Sequence, residues 1–260
     1  MTIKSAKDYL SERQAASGSD EKRIFRMIYR SHESNARKLA LFLEQSKGKV
    51  DVTSMVDRQG FTPLNYAIFK EKSSAARALI DHVRSLELAT SSEVQTSSLG
   101  QQSPRSELPT AALTLAEWVN SKNTKQSGMS AIHYAAFTGD LSLMRELVAR
   151  GADVRIKNQT GMSVLQFAAQ GNQAAVITYL LDCHGFDINE VDSKNSSAVH
   201  WAIFNAQELA LKFLLARGPR INEADIKGIT PLHLAVLSGE QDKTTLLIRM
   251  LLMRGANPHA

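Results

Sequence analysis

One short segment recurs along the chain at a fixed interval, and nothing else in the sequence restricts the fold as strongly. Thr62-Pro63-Leu64-Asn65-Tyr66-Ala67 is answered by Ser130-Ala131-Ile132-His133-Tyr134-Ala135 and by Ser163-Val164-Leu165-Gln166-Phe167-Ala168. Two more copies follow, Ser197-Ala198-Val199-His200-Trp201-Ala202 and Thr230-Pro231-Leu232-His233-Leu234-Ala235. The last four copies start 33, 34 and 33 residues apart; the first gap is 68, close to two periods. A unit this small cannot bury its apolar face alone, so the expected architecture is an all-α stack of repeats, a solenoid.

Each column of the repeat has a mechanical reason. Thr or Ser opens every copy, where a hydroxyl can cap a helix for about 1 kcal/mol. Pro63 and Pro231 follow the cap directly, where a helix tolerates a missing N–H. Two residues before the caps stand Gly60, Gly128, Gly161, Asn195 and Gly228, the types a turn of positive φ prefers. Gly151, Gly185, Gly218 and Gly255 form a second series suited to ending the second helix of each unit. Between them lie apolar runs of helical period, such as Leu141 to Val148 and Leu209 to Leu215.

The pattern resembles the ankyrin repeat. The resemblance implies helix-turn-helix units with projecting β-hairpin loops, and it covers residues 20–83 and 126–258. Residues 1–20 are expected to be a tail and 21–83 an N-terminal capping unit plus the first clear repeat; 126–260 hold four repeats. The capping unit is degenerate, with Ile24 to Tyr29 and Ala36 to Leu43 as its helices. Residues 84–125 break the rhythm. Ser85 to Pro109 is rich in Ser, Thr and Gln and reads as an inserted mobile loop, followed by a short helix around Ala112, Leu115 and Trp118. A decayed repeat would fill the same gap, and the sequence leaves both open. The last unit is longer than its fellows: His133 to Gly151 and His200 to Gly218 are 18 positions each, whereas His233 to Gly255 is 22. The apolar face around Leu246, Leu247 and Leu251 is expected to be partly bare and to dock a continuation of the chain, a second copy or a partner.

Composition removes several function classes. Hydrophobic residues make up 43% and charged residues 22%, the balance of a folded soluble chain. No apolar run approaches the roughly 18–20 residues of a membrane helix, and Met1 to Leu10 lacks the apolar core of a secretory signal. The single cysteine, Cys183, excludes an internal disulfide framework or a Cys-rich zinc cluster and suits a reducing, cytoplasmic setting. The +5 net charge is concentrated at one end: residues 1–50 hold 11 Lys/Arg against 6 Asp/Glu. Lys22, Arg23, Arg26, Arg30, Arg37 and Lys38 are expected to be a solvated cap. They match no nucleic-acid motif, so sequence-specific nucleic-acid binding is not expected.

Nothing reads as chemistry. His133, His200 and His233 share one column of the repeat, so a structural bond to loop backbone is their expected role. Cys183 and His184 are adjacent but lack an orienting acid. The glycines follow turn spacing, not phosphate-loop spacing, and no metal-ligand spacing occurs. No catalytic residue, metal, cofactor or small-molecule substrate is expected.

What remains is a surface. Directly after the His column come Tyr66, Tyr134, Phe167, Trp201 and Leu234, where the ankyrin pattern usually has Leu. Four positions after that column come Phe69, Phe137, Gln170, Phe204 and Leu237. Just before the caps stand Phe61, Met129, Met162, Ser196 and Ile229. In register these columns form apolar ladders that either pack between units or line a groove for another protein or an extended peptide. The candidate binding residues are Tyr66, Phe69, Tyr134, Phe137, Phe167, Trp201, Phe204, Asn205 and Leu237.

A narrower resemblance sits in Val164 to Ala175, Asp187-Ile188-Asn189, Ser197 to Leu215 and Ile226 to Val236. This run is similar to the ankyrin arm of the Asp-His-His-Cys palmitoyltransferases, which implies a substrate-recruiting arm on the cytosolic face of a membrane. The chain itself carries neither the Asp-His-His-Cys string nor membrane helices, so acyl transfer by these residues is not expected.

Overall fold

The computed structural model describes residues 20–30, 33–46, 50–96, 113–123, 125, 127–237 and 241–259. The expected N-terminal tail, most of the Ser-rich stretch and residues 238–240, where the extra length of the last unit begins, lie outside the described residues. Among the described residues thirteen helices follow one another: α1 (Asp20–Tyr29), α2 (Glu33–Ser46), α3 (Pro63–Phe69), α4 (Ser73–Thr96), α5 (Leu115–Val119), α6 (Ala131–Thr138), α7 (Leu141–Ala149), α8 (Val164–Gln170), α9 (Ala174–His184), α10 (Ala198–Phe204), α11 (Glu208–Ala216), α12 (Pro231–Leu237) and α13 (Gln241–Leu252).

The first helices of successive units (α1, α3, α6, α8, α10 and α12) pack in one unbroken row. Their small Ala67, Ala135, Ala168, Ala202 and Ala235 are fully buried and let neighbouring helices approach. The second helices pack behind, and one continuous apolar core runs from Ile24 to Ala256. Each buried Leu, Ile or Val contributes about 1.5–3 kcal/mol, and most of that requires the adjacent unit.

The caps form at the expected residues. Thr62 accepts from the N–H of Asn65 at 3.2 Å ahead of Pro63. In the later units the backbone N–H of Ser130, Ser197 and Thr230 donates to Nδ1 of His133, His200 and His233 at 3.1, 3.2 and 3.3 Å. The turn column lies at positive φ throughout, Asn195 included at 59°.

The connecting loops project as fingers held by a residue series that sequence reasoning passed over. Asp57, Asn158, Asp192 and Asp225 each accept two backbone N–H groups of their own finger through one side-chain oxygen, at 2.8–3.0 Å. The signal was present as Asp or Asn three residues before the turn Gly or Asn; in the second finger Asn123 stands five before Gly128. Fingers also bond to one another: the N–H of Gln159, Ser193 and Ile226 donates to the carbonyl of Ser127, Thr160 and Lys194 in the preceding finger. The expected β-hairpins are reduced to a single bridge, Val191 to Ser197, among the described residues. Side-chain oxygens and these inter-finger bonds do the work of a strand ladder.

The long gap holds one unit, not two. α3 packs directly on α6, with Phe69 5.9 Å from Tyr134, and Arg77 of α4 pairs with Glu146 of α7 at 3.2 Å. No repeat lies between them. The expected loop from Ser85 onward is corrected as well: α4 is a 24-residue helix reaching Thr96. α5 then returns to its side, capped by Thr114 and Glu117 and by the Glu87 carboxylate, which accepts from the N–H of Leu115. The insertion thus sits within the second-helix half of a single repeat.

Candidate protein-binding site

The fingers and the first helices share one side of the stack, and two depressions on that side meet at Trp201. The first, of about 360 Å³, runs past Phe69, Met129, Phe137, Met162 and Gln170 to Trp201 and Lys194. The second, of about 420 Å³, continues from Trp201 and Lys194 past Phe204, Ile226, Leu234 and Leu237 to Lys227. Trp201 is partly exposed; its indole N–H donates to Asp192 at 3.0 Å, and its ring meets Phe204 edge-on at 5.9 Å. That bond fixes the indole against its own finger and leaves ring faces toward both depressions.

The nine expected binding residues divide sharply. Tyr66 (5% exposed), Tyr134 (2%) and Phe167 (5%) are buried, whereas Phe137 (37%), Phe204 (64%) and Leu237 (69%) are open. The first three are therefore withdrawn as anchors. Tyr66 packs on Phe25 and Phe61, Tyr134 on Phe61 and Phe69, and Phe167 on the His133 ring, so the preceding unit covers each ring. Burial pushes the Tyr134 hydroxyl pKa up to about 12. Phe69 is partly buried, with the Lys70 ammonium 4.7 Å from its ring. Asn205 spends its amide capping α10, donating to the Trp201 carbonyl at 3.0 Å. The second ladder, one helical turn further along, supplies the exposed rings. The two half-open Trp201 and Phe69 complete the apolar lining.

The His column was expected to tie units through loop backbone; each ring caps its own helix, and the bond to the next finger is made by Gln166 in the same column. Gln166 accepts from Ser163 N–H at 2.7 Å and donates from Nε2 to the Ser196 carbonyl of the next finger at 2.6 Å. His133 and His200 occupy the same place. Because Nδ1 accepts the cap N–H, the ring proton sits on Nε2, which is buried without a hydrogen-bond partner in His133 and His200. Burial drives the His133 pKa down to about 4, and it lowers that of His200 too. His233, in the last unit, is exposed.

Cys183 is exposed, but the His184 ring packs edge-on against Tyr179 at 4.7 Å, so the two do not form a nucleophile and base. At the other end of the stack, Arg23, Arg26, Arg30 and Lys38 surround Met27 in a shallow depression of about 240 Å³, and Arg23 lies 4.4 Å from the Phe42 ring. Among the described residues no three His, Cys, Asp or Glu side chains converge, and no helix is long and apolar enough to cross a membrane. The C-terminal apolar face differs from expectation in detail. Leu247 and Leu251, one turn apart, are buried, while Leu246, Leu252 and Met253 stay exposed.

Known proteins give this arrangement its family. An ankyrin-repeat family model of three copies matches residues 107–192 and 184–260, more than half of the chain. A putative ankyrin repeat protein of Rickettsia bellii is 31% identical over 121 residues, 46% of this chain and 67% of that protein. Inversin of Gallus gallus is 30% identical over 121 residues but only 11% of its length is spanned. Palmitoyltransferase AKR1 of Lachancea kluyveri is 25% identical over 129 residues, 17% of its length. The chain thus spans a small part of the latter two. The crystal structure of an ankyrin repeat domain from Acinetobacter baumannii superposes with a TM-score of 0.56 at 21% identity, covering 91% of this chain and all of that one; this likeness concerns the fold. With the register of caps, turns and stacked helix pairs described above, the chain belongs to the ankyrin-repeat family.

Proposed function

We propose that the chain is a non-catalytic protein-interaction module, as ankyrin repeats generally are, and that it holds an extended segment of a partner protein in the depressions meeting at Trp201. The observation that carries this reading is the exposure of Phe137, Phe204 and Leu237 beside a Trp201 ring whose N–H is already satisfied. A fixed, half-open indole flanked by apolar side chains can bury area on binding at little ordering cost. The test is Trp201→Ala. With a partner obtained by affinity capture on the unaltered chain, the variant should bind more than tenfold more weakly, ~1.4 kcal/mol, with an unchanged helical circular-dichroism spectrum. Undiminished binding would remove this site.

A second reading has the same module serving as the substrate-recruiting arm of a membrane protein S-palmitoyltransferase, acting at the cytosolic face. It is supported by the likeness to Palmitoyltransferase AKR1 and by the resemblance of Ser197 to Leu215 noted above. It requires catalysis by residues other than these. Sequencing the transcript beyond the Ala260 codon checks it: an Asp-His-His-Cys segment among membrane helices favours the arm, and a stop codon at that point rejects it.

A further inference from the structure

The depressions at Trp201 are apolar on their floor but not on their rim. Five lysines lie along the fingers, and three are committed. Lys122 donates to the Lys157 carbonyl at 2.7 Å, Lys125 donates to the Arg58 carbonyl at 3.3 Å, and Lys157 pairs with Glu190 at 2.6 Å. Lys194 and Lys227 break this pattern. Among the described residues neither ammonium has a carboxylate within 4.0 Å or a carbonyl within hydrogen-bond reach. Both nevertheless stand on fixed backbone. The Lys194 carbonyl accepts from Ile226 N–H at 3.0 Å, and the Lys227 N–H donates to Asp225 at 2.8 Å.

The acids nearby are already occupied. Asp192 spends one oxygen on the N–H groups of Lys194 and Ser196 and the other on the Trp201 indole. Asp225 spends one oxygen on Lys227 and Ile229 N–H groups; it stands beyond ion-pair distance of the Lys227 ammonium and attracts it only from there. Two cations without an ion pair or hydrogen bond therefore flank an apolar trough whose own carboxylates serve mainly to build fingers. Beside low-dielectric walls an opposite charge is attracted more strongly than on open surface.

From this we infer that the partner segment carries a carboxylate side chain, Asp or Glu, within a few residues of a large apolar anchor. The anchor sits against Trp201, Phe204 and Leu237, and the carboxylate lies between Lys194 and Lys227. This rests on the proposed function of the same trough and adds the chemistry of what fills it. An apolar segment alone would leave both ammoniums beside a newly dried surface without a counter-charge, which costs affinity. A basic segment would be repelled.

The experiment selects a phage-displayed library of random 12-residue peptides on the immobilised full chain, on a Lys194→Glu/Lys227→Glu double variant and on Trp201→Ala. Peptides enriched on the unaltered chain should carry Asp or Glu within about four residues of an aromatic or branched apolar residue, the reach of a short extended segment. The charge-reversed variant should bind those peptides about tenfold more weakly and should itself enrich Lys or Arg. Apolar peptides without acids that need Trp201, or acidic peptides indifferent to the charge reversal, would overturn this inference while leaving the trough intact. Enrichment of nothing, or capture indifferent to Trp201→Ala, would overturn both. Far-UV circular dichroism of each variant excludes unfolding as the cause.

Discussion

At the scale of single residues, the histidine column joins packing to proton chemistry. His133 is held neutral in the folded chain, with its pKa near 4 rather than the ordinary 6.5. The unfolded chain therefore takes up a proton that the folded chain refuses. The stability contribution is intact above pH 6.5 and is lost as pH falls from there toward 4, up to about 3 kcal/mol for this one group; His200 acts in the same direction. Gln166 shows that an amide makes both bonds without titrating. His133→Gln/His200→Gln should consequently lose less stability than the unaltered chain between pH 7 and 4, read as the difference between their thermal midpoints. Parallel curves would mean that the rings charge in place. The structural role of this column was legible because the column recurs with the period. Which aromatic of a unit stays open was not. Tyr134 and Phe137 lie one turn apart on the same helix, and only the coverage supplied by Phe61 and Phe69 of the preceding unit makes one ring core and leaves the other surface.

At the scale of elements, close approach of the first helices is what makes the stack rigid. Gly171, just after α8, has ordinary backbone angles, but a Cβ there would stand 2.0 Å from the Phe137 carbonyl oxygen of α6. Gly171→Ala must push two repeats apart and should cost about 1–3 kcal/mol, measured as a lower urea midpoint with an unchanged slope. A neutral outcome would show that the α6–α8 contact is slack. Helix starts and turns were readable because caps and positive-φ positions are local chemistry. The true length of α4 was hidden. Its second half is rich in Ser and Thr, residues that read as a linker on composition. The helix continues past that point, and α5 docks beside it through Glu87.

At the scale of the whole molecule, contacts run only between neighbours, so a change in one unit need not disturb the rest. α3 touches α6 directly, and residues 97–112 join α4 to the segment that leads into α5. Replacing those residues with a short Gly-Ser linker should shift unfolding free energy by no more than about 0.5 kcal/mol. A lost or split unfolding transition would make the segment part of the stack after all. The register of the last four copies was legible from spacing, but the 68-residue gap was not, because an insertion and a decayed unit have the same length; direct contact between α3 and α6 supports the insertion. A practical consequence follows from where the two tryptophans sit. Trp118 is sealed in the core, whereas Trp201 straddles the two depressions. The first is a built-in gauge of melting and the second of occupancy, so an unlabelled sample should report both in a single emission spectrum.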